Sequence, residues 1–206
     1  MMAGRYRPQL DQARRSVADE PRAAEVQARR SVADELAAVE AWAVAARAFA
    51  TASDIFAASR SVRGLLRNTA AVLAAAPGAM CLVSLADHDV LRPYVVAHGD
   101  RRAQRELRRL VAEVPNADAF SRSVQRTGGV LRMELGNRAM LRLWLPRAFW
   151  SYAEHAPVRG VLAAALAKRG QVRATLLLWR EGAQSAYAPA DQAYVQALAQ
   201  RLAQGL

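Results

Sequence analysis

The side chains that most often carry chemistry are scarce in this sequence of 206 residues, which holds one cysteine and three histidines. Cys81 stands between Met80 and Leu82 in an apolar run, and that setting favours a buried, unreactive thiol over a nucleophile. A lone cysteine cannot form a disulfide within the chain, so redox chemistry that depends on such a bond is disfavoured. We therefore predict a structural role for Cys81.

The three histidines, His88, His98 and His155, are far apart in the sequence. No two of them have the spacing of metal ligands on one helix, so we expect no metal site. A haem needs only one axial histidine and stays open as an alternative. The sequence also shows no nucleophile–base pair and no phosphate-binding loop, and we predict that the chain is not an enzyme.

Arginine dominates the charge of the chain, which is +11 from 29 basic and 18 acidic residues. Lys168 is the only lysine, and so strong a preference for arginine is typical of a GC-rich genome. Five arginines fall within residues 101–109, on the polar side of an amphipathic helix. A solvated helix face is the favoured interpretation, and a docking surface for an acidic partner is the alternative. A nucleic-acid partner is disfavoured because no aromatic residues are interleaved with these arginines.

Apolar runs and turn residues predict the elements that would position these side chains. Runs near 80–86 and 91–97 flank an acidic turn, and runs near 158–167 and 172–179 flank the turn Lys168–Gln171, so each pair predicts a β-hairpin. The other predicted elements after the first hairpin are a strand near 130–133 and helices at 118–126, 137–154 and 190–204, with a further helix following Asp100. Two hairpins separated by helices predict an α+β fold with a central antiparallel sheet.

The first 35 residues carry a repeat, since the nine residues QARRSVADE occur at 12–20 and again at 27–35. Two copies are too few for a solenoid, and we interpret them as a short duplication in a partly disordered or helical extension. We divide the chain into this N-terminal extension (1–35), a helical stalk (36–60) and a folded domain (61–206).

Apolar residues recur in the stalk with the alternating three- and four-residue spacing of a heptad seam. The seam consists of Val39, Trp42, Ala46, Phe49, Ser53 and Phe56. Its large aromatic side chains would each forgo about 1.5–3 kcal/mol of burial in water, so we predict a parallel homodimer along this helix. Folding of the same stripe back onto the domain, which would leave a monomer, is the alternative.

The N-terminal residues have no apolar signal-peptide core, and the longest uncharged run, 68–86, is interrupted by Pro77 and Gly78. We therefore expect no membrane span. A single cysteine fits a reducing compartment, and we expect a cytoplasmic protein of a bacterium.

Several stretches of the chain resemble the GAF family of small-molecule sensory domains. They are the helix Leu65–Leu73, the hairpin strands Cys81–Leu85 and Leu91–Gly99, the second hairpin Arg159–Leu178, and the start of the closing helix, Tyr187–Asp191. The likeness covers residues 60–206 and depends on the pattern of elements more than on any diagnostic residue. It implies a GAF/PAS-like sheet with helices on both faces, preceded by a long N-terminal helix.

The resemblance also implies a ligand pocket between the sheet and the segment 116–152. The side chains placed at that pocket are Ser84, Arg92, Tyr94, Phe120, Met133, Trp144 and Trp150. Binding of a small molecule or a signalling partner would change the packing of the flanking helices in a dimer. Relatives that bind a bilin attach it through a cysteine after the second strand, and this chain has none there, so we expect no bilin.

Three functions stay open at this point. The first is a non-catalytic sensory module, the second is an interaction scaffold with a filled pocket, and the third is an enzyme like the GAF-type free methionine sulfoxide reductases, which use several cysteines. A pocket of a few hundred Å³ with polar and apolar walls would support sensing, and a filled interior would support a scaffold. No output domain is recognisable, so we expect the signal to reach a separate protein or a segment outside this sequence.

Overall fold

The computed structural model describes residues 46–206 apart from 77, 89, 115–117, 136–137 and 183–185, together with the isolated residues 36, 39, 40 and 43. The chain divides into two compact units, Met1–Ala43 and Val44–Leu206. The extension predicted over 1–35 and the seam residue Trp42 lie outside the described residues. In the first unit, Leu36 and Val39 are helical and exposed.

Five antiparallel strands form the sheet of the second unit, in the order β2-β1-β5-β4-β3. The strands are β1 (Ala79–Asp87), β2 (Val90–His98), β3 (Val130–Glu134), β4 (Val158–Lys168) and β5 (Gln171–Glu181). The turn between β4 and β5 has positive φ at Arg169 (52°) and Gly170 (76°), which is the backbone of the commonest two-residue hairpin turn. Both predicted hairpins and the predicted α+β fold are confirmed.

Helices cover both faces of this sheet. They are α1 (46–57), α2 (Val62–Leu73), α3 (Arg101–Ala112), α4 (Ala119–Thr127), α5 (Arg138–Trp144), α6 (Trp150–His155) and α7 (Pro189–Leu202), with 3₁₀ turns at Arg147–Phe149 and Ala203–Gly205. The continuous helix predicted over 137–154 is wrong, because Pro146 lacks a backbone N–H and disfavours helical backbone at the residue before it. Among the described helices, none is long and apolar enough to cross a membrane.

Alternate side chains of the strands point to opposite faces and build two separate cores. The face that packs against α1, α2 and α7 is here called the terminal face, and its core includes Leu162, Leu176 and Leu198. The face that packs against α3–α6 is called the cover face, and its core includes Phe120 and Trp179. Any site between the sheet and the segment 116–152 therefore belongs to the cover face.

Helix α1 packs with the folded domain, although it precedes the boundary placed at residue 61. Its fully buried side chains are Ala48, Ala52 and Ile55, which belong to the terminal-face core. Of the predicted seam residues on the same helix, Ala46, Phe49 and Ser53 are exposed, whereas Phe56 is half-buried and packs against that core. The exposed part of the seam is thus free of the domain's own core, and the homodimer stays a prediction.

Candidate functional site

Four of the predicted pocket residues gather on the cover face. Phe120 of α4 is fully buried, and its ring stacks on that of Trp144 with 4.8 Å between centroids. Met133 packs against the same core from β3. Ser84 is buried on β1 and points to this face, since it follows Leu82 by two residues in an extended strand.

The other three predicted pocket residues lie elsewhere. Tyr94 packs against the terminal-face core, because a bulge in β2 shifts the register of the first hairpin at this point. Arg92 is exposed and its Nε lies 3.6 Å from a carboxylate oxygen of Asp87. Trp150 is half-buried, and its indole N–H donates to a backbone carbonyl in the turn before α6, at 3.2 Å.

Aromatic side chains fill the space between the sheet and the cover helices. Phe149 meets Trp179 edge-on and Tyr152 stacks on the same indole, with centroid distances of 5.7 and 6.1 Å. The cavity that the described residues leave beside Leu82 and Leu177 has a volume of about 10 Å³. A cavity of that size is at the limit for a single water molecule. This part of the cover face is therefore a packed core in the structure.

Besides His98 Nε2, which is described below, three buried polar atoms on this face have no hydrogen-bond partner among the described residues: Ser84 Oγ, Thr175 Oγ1 and Trp179 Nε1. Ser84 and Thr175 are directly paired across β1 and β5, so their hydroxyl groups are neighbours. A buried hydroxyl without a partner costs roughly 1–3 kcal/mol. Sequence reasoning missed Thr175, because only its pairing with β1 reveals that it lies beside Ser84.

A buried polar cluster closes one end of the cover face. The Tyr152 hydroxyl donates to the Glu181 carboxylate, 3.0 Å from Oε1 and 3.1 Å from Oε2. His98 Nε2 lies 3.4 Å from Glu181 Oε2, and the backbone N–H of Asp100 donates to His98 Nδ1 at 2.9 Å. No sequence motif could have indicated this cluster, since its members come from α6, β5 and β2.

Electrostatics within the cluster follow from that arrangement. The Glu181 carboxylate raises the pKa of His98 above its usual range, and burial offsets this effect only in part. Burial, reinforced by the same carboxylate, raises the pKa of Tyr152 well above its ordinary value. The cluster thus holds a proton on Tyr152 at any physiological pH and favours a proton on His98 Nε2, the nitrogen that faces Glu181.

The remaining candidates for chemistry are separated from one another. Cys81 is fully buried in the terminal-face core, and burial raises the pKa of its thiol to about 12. The thiolate that reacts is therefore strongly disfavoured at neutral pH. His88 and His155 are exposed, and no group of three potential metal ligands occurs in the described part of the chain.

An open depression of about 950 Å³ runs along β2, the edge strand of the sheet. Residues of α2 form one wall and residues of α3 form the other. Arg67, Arg92 and Arg108 line this depression, and no carboxylate is among its described lining residues. We call it the edge trough. Sequence reasoning placed Arg108 on a polar helix face but could not bring it near Arg67.

Comparison with known proteins identifies the architecture. No protein-family model matches the chain, and no curated protein matches it either. The GAF domain of a phosphoenolpyruvate-protein phosphotransferase from Coxiella burnetii superposes with a TM-score of 0.56 at 15% identity, over 78% of this chain and 93% of that chain. The corresponding GAF domain from Acinetobacter gives 0.55 at 13% identity, over 76% and 88%. The chain therefore has a GAF fold, as the sequence resemblance implied.

An enzyme shares this fold with the chain. The free methionine-R-sulfoxide reductase from Neisseria meningitidis, solved in complex with its substrate, superposes with a TM-score of 0.51 at 18% identity, over 75% of this chain and 82% of that chain. Identities this low establish the common fold alone. Neither a substrate nor a ligand carries over from these structures.

Proposed function

We propose that this chain is a non-catalytic regulatory module of GAF fold that acts by binding a protein partner. The observation that carries the proposal is the packed cover face, where the cavity beside Leu82 and Leu177 measures about 10 Å³. Pockets that bind small molecules usually measure about 300–1,000 Å³. A ligand at this position would have to displace packed aromatic rings.

The side chains that occupy this space support a permanent core. Phe120 and Trp179 are among the largest fully buried side chains of the described residues. Each aromatic ring in such a core buries roughly 150–250 Å² and makes oriented contacts with its neighbours. Opening the cover face would expose that area to water, so closure is strongly favoured in the absence of a ligand.

The setting of the single cysteine supports a role without catalysis. Cys81 lies inside β1, its side chain is completely buried, and its raised pKa keeps the thiol protonated. A reductase of the GAF-type sulfoxide family needs a reactive thiolate and a second cysteine to close a disulfide. We expect no turnover of free methionine-R-sulfoxide in the presence of a thiol reductant. Turnover that disappears in Cys81→Ser would contradict the non-catalytic proposal.

Native mass spectrometry of the protein purified from its own host tests the proposal directly. We expect the mass of the polypeptide, alone or as an oligomer, with no retained small molecule. The same measurement on the double variant Ser84→Ala, Thr175→Val provides the control. A small molecule that accompanies the wild type and is lost from this variant would overturn the partner-binding function.

Small-molecule sensing is the second candidate, and the unpartnered polar atoms of Ser84, Thr175 and Trp179 favour it. Buried polar groups in proteins are nearly always hydrogen-bonded, so a cluster of exceptions suggests a ligand or a water molecule as the missing partner. In this alternative, the Phe120–Trp144 stack would separate to admit a small polar molecule. The double variant distinguishes the two candidates, because it leaves the rest of the core unchanged.

A further inference from the structure

We propose that the edge trough binds an extended, acidic segment of the partner protein, which pairs with β2 as an additional strand. This inference deepens the proposed function and rests on it. Addition of a strand to a free sheet edge uses backbone hydrogen bonds for affinity and flanking side chains for specificity.

The floor of the trough is the outer edge of β2. The side-chain amide of Gln104 donates to the His98 carbonyl there at 3.0 Å, so a strand that pairs as far as His98 would displace it. β2 has β1 as its neighbour on one side and no strand of the described sheet on the other. Pro93 lacks a backbone N–H, and the bulge beside it breaks the ladder, which blunts this half of the edge. From Val95 to His98 the register with β1 is regular, so this half can accept a partner strand.

The walls of the trough leave room for such a strand. α2 packs on the terminal face and α3 on the cover face, so the two helices flank the edge of β2 from opposite sides. An added strand would lie about 4.8 Å from β2, in the plane of the sheet. Both walls include small side chains, at Ala71 on α2, at Ala75 just after it and at Ala112 on α3.

Charge selects an acidic occupant. Arg67 and Arg108 stand exposed on opposite walls, and Arg92 lies on the strand itself. Within the described part of the chain, the one ion pair that these three arginines form joins Arg92 to Asp87 at 3.6 Å, between side chains that are 65% and 62% exposed. Exposed pairs of this kind are weak, so the guanidinium of Arg92 can exchange partners. Within the trough, a second copy of this chain, whose net charge is +11, is a poorer occupant than an acidic segment.

The same surface suits a polypeptide better than a nucleic acid. A peptide backbone offers the N–H and C=O groups that the edge from Val95 to His98 requires, and a phosphate backbone offers acceptors alone. Proteins that bind single strands without sequence preference stack bases on aromatic side chains. Tyr94 is the one aromatic residue among the described lining residues, and its ring packs against the terminal-face core.

Fluorescence anisotropy with labelled decapeptides tests this inference on the full chain. The probe is the alternating peptide EVEVEVEVEV, compared with KVKVKVKVKV and with two EV peptides that are N-methylated at either the odd or the even residues. We expect binding of the EV peptide, no binding of the KV peptide, and loss of binding for one methylated peptide only, because a paired strand turns one set of N–H groups toward β2.

Arg108→Glu and Arg109→Glu form a matched pair of variants. Both residues are exposed on α3, but Arg108 lines the trough and Arg109 does not. We expect Arg108→Glu to weaken binding of the EV peptide by about tenfold or more at low salt, and Arg109→Glu to weaken it by less than about threefold. Circular dichroism on both variants checks that the fold is retained.

Four results would overturn the inference. They are no binding of the EV peptide at about 1 mM, equal losses in Arg108→Glu and Arg109→Glu, equal binding of both methylated peptides, and tighter binding of a dT10 oligonucleotide that Arg108→Glu abolishes. Native mass spectrometry distinguishes a failure of this strand-addition inference from a failure of the proposed function. If no small molecule is retained and no peptide binds, the proposal of strand addition at the edge trough is refuted, and the proposed function is not.

Discussion

Thr69 and Thr175 are both completely buried, but their hydroxyl groups differ in what they contact. The Thr69 hydroxyl donates to the carbonyl of Leu65 at 2.8 Å within α2. The Thr175 hydroxyl has no partner among the described residues. Valine has the shape of threonine without its polar atom. Thr→Val at the two positions therefore measures what a hydrogen-bonded and an unpartnered buried hydroxyl each contribute to the free energy of unfolding.

We predict that Thr175→Val raises the free energy of unfolding by about 1 kcal/mol, because a desolvated hydroxyl without a partner is removed. Thr69→Val should lower it by a similar amount, because a buried hydrogen bond is lost. Urea unfolding followed by tryptophan fluorescence checks both values. If Thr175→Val were as destabilising as Thr69→Val, a bound water or ligand would have to satisfy the Thr175 hydroxyl.

The polar cluster of His98, Tyr152 and Glu181 makes stability depend on pH. Glu181 raises the pKa of His98 above the unfolded value of 6.5, with a smaller contribution from Asp100. Stabilisation by His98 is therefore complete below about pH 6.5 and is lost as the pH rises through the folded-state pKa. Stability falls with rising pH because protonated His98 is a cation that gains a carboxylate partner, Glu181, on folding.

We predict that the difference in unfolding free energy between the wild type and His98→Gln is larger at pH 5.5 than at pH 9. Urea titrations at a series of pH values measure this difference. His155→Gln serves as the control, since His155 is exposed on α6 and lies outside the cluster. A difference for His98→Gln that does not change with pH would exclude the Glu181 interaction as its source.

At the scale of elements, the packing of helix α1 against the terminal-face core bears on where the domain begins. Ile55 is 2% exposed and belongs to the terminal-face core. We predict that Ile55→Ala lowers the free energy of unfolding of the domain by about 2–5 kcal/mol, the usual effect of a buried isoleucine truncation. Val72→Ala, an exposed aliphatic position on α2, should change it by less than about 0.5 kcal/mol.

An independent stalk would give a different result. If residues 36–60 formed a helix separate from the domain, Ile55→Ala would leave the unfolding of the sheet unchanged. Thermal unfolding followed by near-ultraviolet circular dichroism, which reports on the packed tryptophans of the cover face, distinguishes the two cases. An unchanged transition would support the boundary at residue 61.

At the scale of the whole molecule, the predicted homodimer depends on the exposed part of the seam. Phe49 is 53% exposed, and the guanidinium of Arg201 lies over its ring, 4.5 Å from the centroid. That contact covers the ring in part, as the monomeric alternative requires. The uncovered part still leaves an apolar surface that a second chain could bury.

We predict that the full chain is a dimer at about 50 µM and that the double variant Trp42→Glu, Phe49→Glu is a monomer, because charged side chains in a seam oppose association. Multi-angle light scattering measures both masses. Val72→Glu, an exposed substitution outside the seam, should remain dimeric. A monomeric wild type, or a seam variant that dimerises as well as the wild type, would refute the prediction.

Local patterns in the sequence were sufficient for the strands and for the fold class. Apolar runs of strand length, bounded by turn residues such as Lys168–Gln171, fold into hairpins through contacts between near neighbours. Phe120, Met133 and Trp144 lie on the cover face, and their role in binding a ligand stays a prediction. These features are predictable because each depends on periodicity within one element or on the order of elements.

Contacts between distant elements decided the rest. A bulge turned Tyr94 to the terminal face, strand pairing placed Thr175 beside Ser84, and the order of strands brought His98 of β2 to Glu181 of β5. The sequence determined that a GAF-like sheet carries large aromatic side chains on its cover face. Only the tertiary structure decided that those side chains fill the space, because the volume of a cavity depends on how rings from several helices and strands interlock.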